Sequence, residues 1–512
     1  MTFGFRGPLP PARFNMARYV IGDSARRVPG KTALIVLVEP GAPPAEVWTF
    51  GELEAAMLRL TGGLQALGLE PGARLLIRLE NNSTYALLFF AALAAGLVPI
   101  PTSTQLTAAE AEFLMADSGA AAVAPSMAAG RIPAGVRVLM ADEIQRLLTT
   151  AAPGTYADTA AEDPGYIIYT SGTTSSPKGV LHAHRAAWGR RPLYDGWYGL
   201  RPDDRLLHAG AFNWTYTLGT GLTDPWVMGA TAIVYLGPRD PALWPRLIAD
   251  SGTTIFAAVP TVYRQILKYG APGRSSLGAM RHGLIAGEAP PPGIFEDWAG
   301  ATGRELYEAI GMSELSTFIS SAPTVPRRPG YIGRAQTGRE VVILPIDGGD
   351  TPLAPGAEGL IAAHRSDPGL MLGYWGRPEE EAEVMRGDWF IGGDVAMMDA
   401  DGYIAHRGRA NDIMKAMGYR VAPQEVEAAL ALHPGVAEVA CAEVRVRDDV
   451  SVIGAYVVAR EGVAADAEAL KAFAAERLAP YKCPREVVFI DALPRTPNGK
   501  VKRAALKSFR PL

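Results

Sequence analysis

Tyr169-Thr170-Ser171-Gly172-Thr173-Thr174-Ser175-Ser176-Pro177-Lys178-Gly179 runs on from the apolar segment Tyr166-Ile167-Ile168-Tyr169. The apolar residues read as a buried strand, and the Gly, Ser and Pro that follow break it into a loop. Thr and Ser hydroxyls, backbone N–H groups freed by the loop and the charge of Lys178 make a donor set suited to phosphate oxygens. The loop does not follow the common G-x-x-x-x-G-K-[ST] pattern. The spacing from Gly172 to Lys178 is wrong, and Gly179 stands where Ser or Thr belongs. Taken alone, a run of this composition is more often a flexible Ser/Thr-rich loop.

Strand-like and helical stretches alternate on both sides of it. Arg74–Leu79 and Ala121–Ala124 read as strands. Thr231–Tyr235 and Thr254–Val259 flank a helix holding Leu243, Leu247 and Ile248. Units of this length imply right-handed crossovers and mostly parallel sheets covered on both faces, hence an α/β fold. From Gly338 to Arg407 the pattern changes to short strands with turns, among them the hairpin signal Asp401-Gly402. After Arg409 a separate unit is expected. Pro423 opens a helix with Val426, Ala429 and Leu430 on one face, and strands follow near Val436–Val446 and Val452–Val458. A second helix carries Leu470, Phe473, Ala474 and Leu478, and Glu486–Ile490 adds a last strand. No internal repeat is visible.

Bulk properties bound the function. At 512 residues the chain is too long for one ordinary core. With 48% hydrophobic and 20% charged residues it is globular. A net charge of −4 gives no electrostatic case for nucleic acid or an anionic membrane. Cys441 and Cys483 are the only cysteines, which excludes a disulfide framework and suits a reducing cytoplasm. The N-terminal residues lack the apolar core of a signal peptide. The longest apolar stretch, Tyr85 to Val98, is about two-thirds of the length of a membrane span. It reads as a buried helix, capped by Ser83 or Thr84 and ended by Gly96 and Pro99. The seven His have no zinc-ligand spacing, His182 and His184 read as structural, and no G-x-S-x-G elbow occurs.

Five segments in order down the chain resemble the motifs of the adenylate-forming superfamily: acyl-CoA synthetases, stand-alone adenylation domains and beetle luciferases. The loop at 169–179 resembles the family's phosphate loop, and Ile310-Gly311-Met312-Ser313-Glu314 its Gly-x-Thr-Glu segment. Gly393-Asp394 resembles its Gly-Asp. Gly408-Arg409-Ala410-Asn411-Asp412, with Lys415 and Gly418, resembles its hinge. Pro494-Arg495-Thr496-Pro497-Asn498-Gly499-Lys500 resembles its C-terminal Pro-x-x-x-x-Gly-Lys. The resemblance implies a core over 1–409, made of two α/β subdomains and a small β-barrel at about 338–407. It also implies a mobile α+β lid over 410–512.

The implied chemistry activates a carboxylic acid. Its oxygen attacks the α-phosphorus of ATP, giving an acyl adenylate and pyrophosphate, and a thiol then attacks the acyl carbon. The first step brings an anion onto a polyanion, so it needs cations and oriented donors more than a base. The resemblance assigns Lys500 to bridge the carboxylate and the α-phosphate, with Thr170 beside it. Glu314 becomes the Mg²⁺-linked carboxylate, a hard cation shared with phosphate oxygens. Ser171, Gly172, Thr173, Thr174 and Lys178 fall on the phosphates. Asp394 accepts the ribose hydroxyls, and Arg409 contacts ribose and phosphate. Gly287, Glu288 and Ala289 lie along the adenine, together with Glu308, Ala309, Ile310, Gly311, Met312 and Ser313. Asn411 is the hinge and Gly418 lines the CoA channel.

Several positions depart from the family. Ser175 stands where most members have Gly, at a cost on the order of 1 kcal/mol if φ is positive there. Gly392 replaces the usual Thr or Ser. Asn411 replaces Asp or Lys but tolerates unusual backbone angles. Ile310 replaces the aromatic that often stacks on adenine.

Within the superfamily the sequence is most similar to benzoate–CoA ligases and related acyl-CoA synthetases, through Phe212–Leu222, Ala286–Ala289 and Ala479–Pro484. The acid pocket implied is Trp214, Tyr216, Thr217, Ala286, Gly311, Met312 and Thr317, apolar with polar tips. Asn213 stands where amino-acid-activating relatives keep Asp, which disfavours an α-amino acid. Thr217 replaces a Gly and shrinks or reshapes the pocket. The substrates expected are a compact uncharged monocarboxylic acid, ATP and CoA, with no nucleic-acid or membrane partner. A homodimer is compatible with the sequence. The alternatives are a stand-alone adenylation enzyme loading a carrier protein, a luciferase-like oxidase, and a catalytically silent nucleotide-binding protein.

Overall fold

The protein is described by a computed structural model. It describes residues 3–125, 131–170, 177–410, 412, 414–416, 419–447, 450–463, 466–495, 501–506 and 509. Contacts divide the chain into two units. The first comprises Met1–Gly287, Phe295–Glu340 and Ala363–Phe390; the second comprises Glu288–Ile294, Val341–Ala362 and Ile391–Leu512.

The first unit holds three sheets. In the largest, Thr32–Leu37, Thr231–Tyr235, Arg205–His208, Ile255–Ala258, His282–Ala286 and Leu306–Met312 run parallel in that spatial order. Antiparallel strands flank them: Glu46–Thr49 at one edge, Ser316–Ser320 and Gly333–Ala335 at the other. The four central strands Thr231–Tyr235, Arg205–His208, Ile255–Ala258 and His282–Ala286 are almost wholly buried, as parallel strands covered on both faces require. A second sheet is parallel throughout, in the order Val98–Pro101, Arg74–Arg78, Ala122–Pro125, Arg137–Val138. The third joins Pro164–Thr170, Lys178–Ala183 and Gly373–Tyr374 in antiparallel pairs.

The apolar stretch expected as a buried helix is one, Ser83–Ala94, in which Thr84 alone is not buried. Its cap lies one residue before the position expected. Asn82 has extended backbone, and its side chain accepts from the Tyr85 N–H at 3.1 Å, while Ser83 is already helical and buried. Of the helix expected around Leu243, Leu247 and Ile248, only the last two lie in the α-helix Trp244–Asp250. Leu243 closes a preceding 3₁₀ turn, Pro241–Leu243. Among the described residues no helix is long and apolar enough to cross a membrane.

In the second unit, Val341–Leu344, Glu358–His364, Trp389–Met398 and Tyr403–Arg409 form consecutive strands, a few end residues of which group with the first unit. The last two make the hairpin signalled by Asp401-Gly402, with Gly402 at φ +80°. Their contacts group this segment with the C-terminal elements. There the helix Pro423–Ala431 precedes the antiparallel pair Val436–Arg447 and Val450–Ala459. The helix Ala467–Ala475 follows, and then Glu486–Phe489 lies parallel to Val450–Ala459. Val426, Leu430, Ile453, Leu470 and Ala474 pack as its core; Leu478 lies beyond the second helix but against the same cluster. Cys441 is buried there.

Candidate active site

The antiparallel pairing of Pro164–Thr170 with Lys178–Ala183 sets Thr170 opposite Lys178. Ser171, Gly172, Thr173, Thr174 and Ser175 themselves lie outside the described residues. The strand pair is pinned from the side. Tyr169 donates its hydroxyl proton to Asp117 Oδ2 at 2.6 Å, and Arg377 Nη2 donates to Asp117 Oδ1 at 3.1 Å.

Lys178 does not stand free. Its ammonium is ion-paired with Glu380 in the helix Pro378–Glu383 and lies 5.4 Å above the Tyr374 ring. That ammonium holds the Glu380 carboxyl below the ordinary carboxylate range. The Tyr374 hydroxyl donates to Glu314 Oε1 at 2.7 Å. One chain of contacts therefore links Lys178, through Tyr374, to the carboxylate expected to serve the metal. Neither Tyr374 nor Glu380 was marked by the sequence. Their distance from Lys178 along the chain hides a contact made by the strand pair Gly373–Tyr374 with Leu181 and Val180.

Glu314 sits in the turn between the antiparallel strands Leu306–Met312 and Ser316–Ser320. Its backbone carbonyl accepts from the Met371 N–H at 2.8 Å, and the Ser313 carbonyl accepts from His182 Nε2 at 2.7 Å. Burial pushes His182 down to about 4, so the ring is a neutral donor and structural. Ser316 closes the turn in the left-handed region, φ +68°. Its hydroxyl is held by the buried Arg190, whose guanidinium also clasps Asp224 at 2.6–3.1 Å.

In the same strand, Ala309 is buried, Glu308, Ile310 and Met312 are half-buried, and Gly311 is exposed opposite Thr317. Burial raises the Glu308 carboxyl to about 7. Ala286 ends the neighbouring strand His282–Ala286. Gly287 follows at φ +94°, and a Cβ there would stand 2.5 Å from the Trp214 indole, so glycine is required twice over. Glu288 and Ala289 begin the second unit's segment.

Of the residues expected in the acid pocket, Trp214 and Ala286 lie around Tyr216. Its ring lies 5.3 Å from Trp214 and 4.3 Å from His208, edge to face in both cases, and it shares an apolar cluster with Ala286 and Ala309. Thr217 and Thr317 are buried. His208 was missed by the sequence reading. It ends a buried strand among apolar residues, where a histidine carries no spacing signal.

In the second unit, Asp394 and Arg409 face each other across the hairpin. Arg409 Nη1 donates to Asp394 Oδ2 at 2.9 Å, and His406 Nε2 bonds Oδ1 at 3.0 Å. Burial alone would raise the Asp394 carboxyl. The His406 bond and the Arg409 charge outweigh it and hold the group below its ordinary value. Each oxygen keeps acceptor capacity for hydroxyl donors. His406 is a second histidine that the sequence did not mark. Asn411, Gly418 and Lys500 lie outside the described residues.

Among the described residues no group of three or more His, Cys, Asp or Glu could hold a metal ion. A cation at Glu314 would complete its shell from phosphate and water oxygens, the pattern of Mg²⁺.

Residues 21–375 match the family of AMP-binding enzymes, and 425–500 match the AMP-binding enzyme C-terminal domain. The chain belongs to the AMP-binding enzymes. One similar member is the 3-hydroxybenzoate–CoA ligase of Aromatoleum sp. (strain CIB), 29% identical, with 90% of this chain and 91% of the relative covered. Another is the benzoate–CoA ligase of Thauera aromatica, 30% identical over 97% and 96%. Among solved structures, ATP-bound MatB from Rhodopseudomonas palustris superimposes with a TM-score of 0.89 at 28% identity, covering 97% of this chain and 98% of that one.

Proposed function

We propose that this AMP-binding enzyme is an AMP-forming carboxylic acid–CoA ligase. The observation that carries the reading is the contact chain Lys178–Tyr374–Glu314, which joins a phosphate-binding cation to a carboxylate fit for Mg²⁺. Relatives named as CoA ligases of aryl acids, matched over nearly their full length, support the acid and thiol substrates. A carrier-protein-loading role has no such support.

In this reading Lys178, Thr170, Ser171, Gly172, Thr173 and Thr174 bind the ATP phosphates. Asp394 accepts the ribose hydroxyls and Arg409 neutralises it and nearby phosphate. Gly287 to Ala289 and Glu308 to Ser313 border the adenine. Mg²⁺ bound by Glu314 would offset phosphate charge. The acid lies against Trp214, Tyr216, Thr217, Ala286, Gly311, Met312 and Thr317, and its carboxylate oxygen attacks the α-phosphorus as pyrophosphate leaves. Lys500 holds the two anions together, a preorganised charge rather than a base. The CoA thiol then attacks the acyl carbon and AMP departs.

Residues 1–409 act as the core and 410–512 as a lid pivoting at Asn411 and bringing Gly418 to the pantetheine channel; separate family matches on the two parts support this. We place the enzyme in the cytoplasm, acting on small molecules alone, with a homodimer as the assembly to test by sedimentation.

Pyrophosphate release over a panel of carboxylic acids, with and without CoA, tests the reading. Acid-dependent pyrophosphate release and CoA-dependent AMP release are expected. AMP release that needs a carrier protein instead of CoA would reject it.

A further inference from the structure

Three buried polar atoms gather on the acid-pocket wall without any partner: His208 Nε2, Thr217 Oγ1 and Thr317 Oγ1. Neighbouring threonines, by contrast, are paired. Thr223, six residues beyond Thr217, donates to the Leu218 carbonyl at 3.1 Å, and the Thr220 hydroxyl pairs with Tyr198 at 2.8 Å. A helical Thr ordinarily bonds a carbonyl in the preceding turn, and Thr217 does not. Leaving a buried donor or acceptor unmade is costly, so such atoms in a cluster call for a ligand or water.

His208 and Thr217 both border Gly210. A methyl group there would stand 2.2 Å from Thr217 Oγ1 and 3.0 Å from His208 Cε1, so the hydroxyl and the Nδ1–Cε1 edge of the imidazole approach the same glycine. The Tyr216 ring, 4.3 Å from His208, ties the imidazole to the wall that carries Trp214. The helical turn Thr215–Leu218 packs against the strand that holds Thr317.

The tautomer of His208 is fixed by its other nitrogen. Nδ1 accepts from the Gly210 N–H at 2.8 Å and is therefore unprotonated, which leaves the proton on Nε2. Burial pushes the ring down to about 3, so it stays neutral. The wall thus presents one N–H donor and hydroxyls that donate or accept, with no net charge. A second carboxylate would be buried there without a cation, and an ammonium would meet a donor. A hydroxyl fits: it accepts from Nε2–H and donates to a threonine oxygen.

We infer that the acid taken by this enzyme carries a hydroxyl group distal to its carboxylate, held by His208 and Thr217 with Thr317 alongside. The inference rests on the acid–CoA ligase reading above and specifies its substrate class.

The test compares matched pairs, 3-hydroxybenzoate with benzoate and 3-hydroxybutyrate with butyrate, by kcat/KM for pyrophosphate release. The hydroxylated member of at least one pair should be preferred by about 10- to 100-fold, the scale set by leaving buried polar groups unmade. Thr217→Val keeps the volume and removes one hydroxyl; it should cut that preference by about 10-fold, mainly through the hydroxylated acid's KM. His208→Phe should cut it further, and a soluble Thr217→Val enzyme keeps the test alive should His208→Phe misfold. Equal use of both members by the native enzyme, or an unchanged ratio in Thr217→Val, would overturn the inference while leaving the ligase reading intact. Release of pyrophosphate with none of the acids would overturn both.

Discussion

The surroundings of Glu314 are charged and those of Thr217 are neutral. Around Glu314 the charged groups are paired, Lys178 with Glu380, Glu314 with Tyr374 and Arg377 with Asp117, while His182 Nδ1 and Arg377 Nε are buried without a hydrogen bond. Around Thr217 buried polar atoms are left unmade. The difference follows from what each region must receive. Phosphates and a divalent cation arrive with large charges, and a site of bare charges would repel its own parts before they came. In the proposed function, internal partners hold such groups in place until the ligand replaces them. A small uncharged group brings only hydrogen bonds, so its partners can wait unpaired in a shaped wall at modest cost.

The charged side should respond most strongly to loss of Lys500, the lysine proposed to bridge the carboxylate and the α-phosphate. Lys500→Ala should lower acyl-adenylate formation by about 10²–10³-fold, the usual scale for one preorganised donor. Thioester formation from supplied acyl adenylate should persist. Single-turnover assays of the two half-reactions check this, and an equal fall in both would make Lys500 structural.

Both regions rest on buried neutral histidines, which gives a prediction in pH. Burial holds His182, His184 and His282 down to about 4 and His208 to about 3. In the unfolded chain these rings titrate near 6.5. Between 6.5 and the native values the unfolded state binds more protons, so stability is present above about 6.5 and is lost as pH falls. The loss approaches on the order of 3 kcal/mol per ring below both values. Urea unfolding midpoints should therefore drop steeply from pH 7 to pH 5. A flat profile would mean that the rings charge within the fold, and the neutral donor assigned to His208 would fail with it.

The smallest effect separates the two regions most cleanly. Glu380→Gln removes the internal counter-charge that ATP must displace from Lys178. It should lower the KM for ATP by roughly 3- to 10-fold, the scale of a partly exposed ion pair, and should leave the KM for the acid unchanged. A raised ATP KM would show instead that Glu380 positions Lys178 for the phosphates.

Much of this architecture could be read from the sequence where local chemistry decides it. Val- and Ile-rich runs gave parallel strands at Thr231–Tyr235 and Ile255–Ala258, and Asp401-Gly402 gave its hairpin. Ordered motifs gave the family and the candidate residues Glu314, Asp394 and Arg409. What stayed hidden depends on register and on long-range packing. His406 meets Asp394 only because the hairpin pairs them, Glu380 reaches Lys178 across two hundred residues, and His208 sits among Leu and Ala with no spacing to mark it. The cap of Ser83–Ala94 shows the local limit: Asn82, Ser83 and Thr84 are all competent caps, and packing chose the first.

The central claim, that the acid's own oxygen attacks the α-phosphorus of ATP, is tested most directly by isotope transfer. Turnover of a carboxylate labelled with ¹⁸O in both oxygens, with ATP, Mg²⁺ and CoA, should place one ¹⁸O in the phosphate of each AMP formed, read by mass spectrometry. Label appearing in inorganic phosphate or pyrophosphate, or AMP without label, would contradict the account.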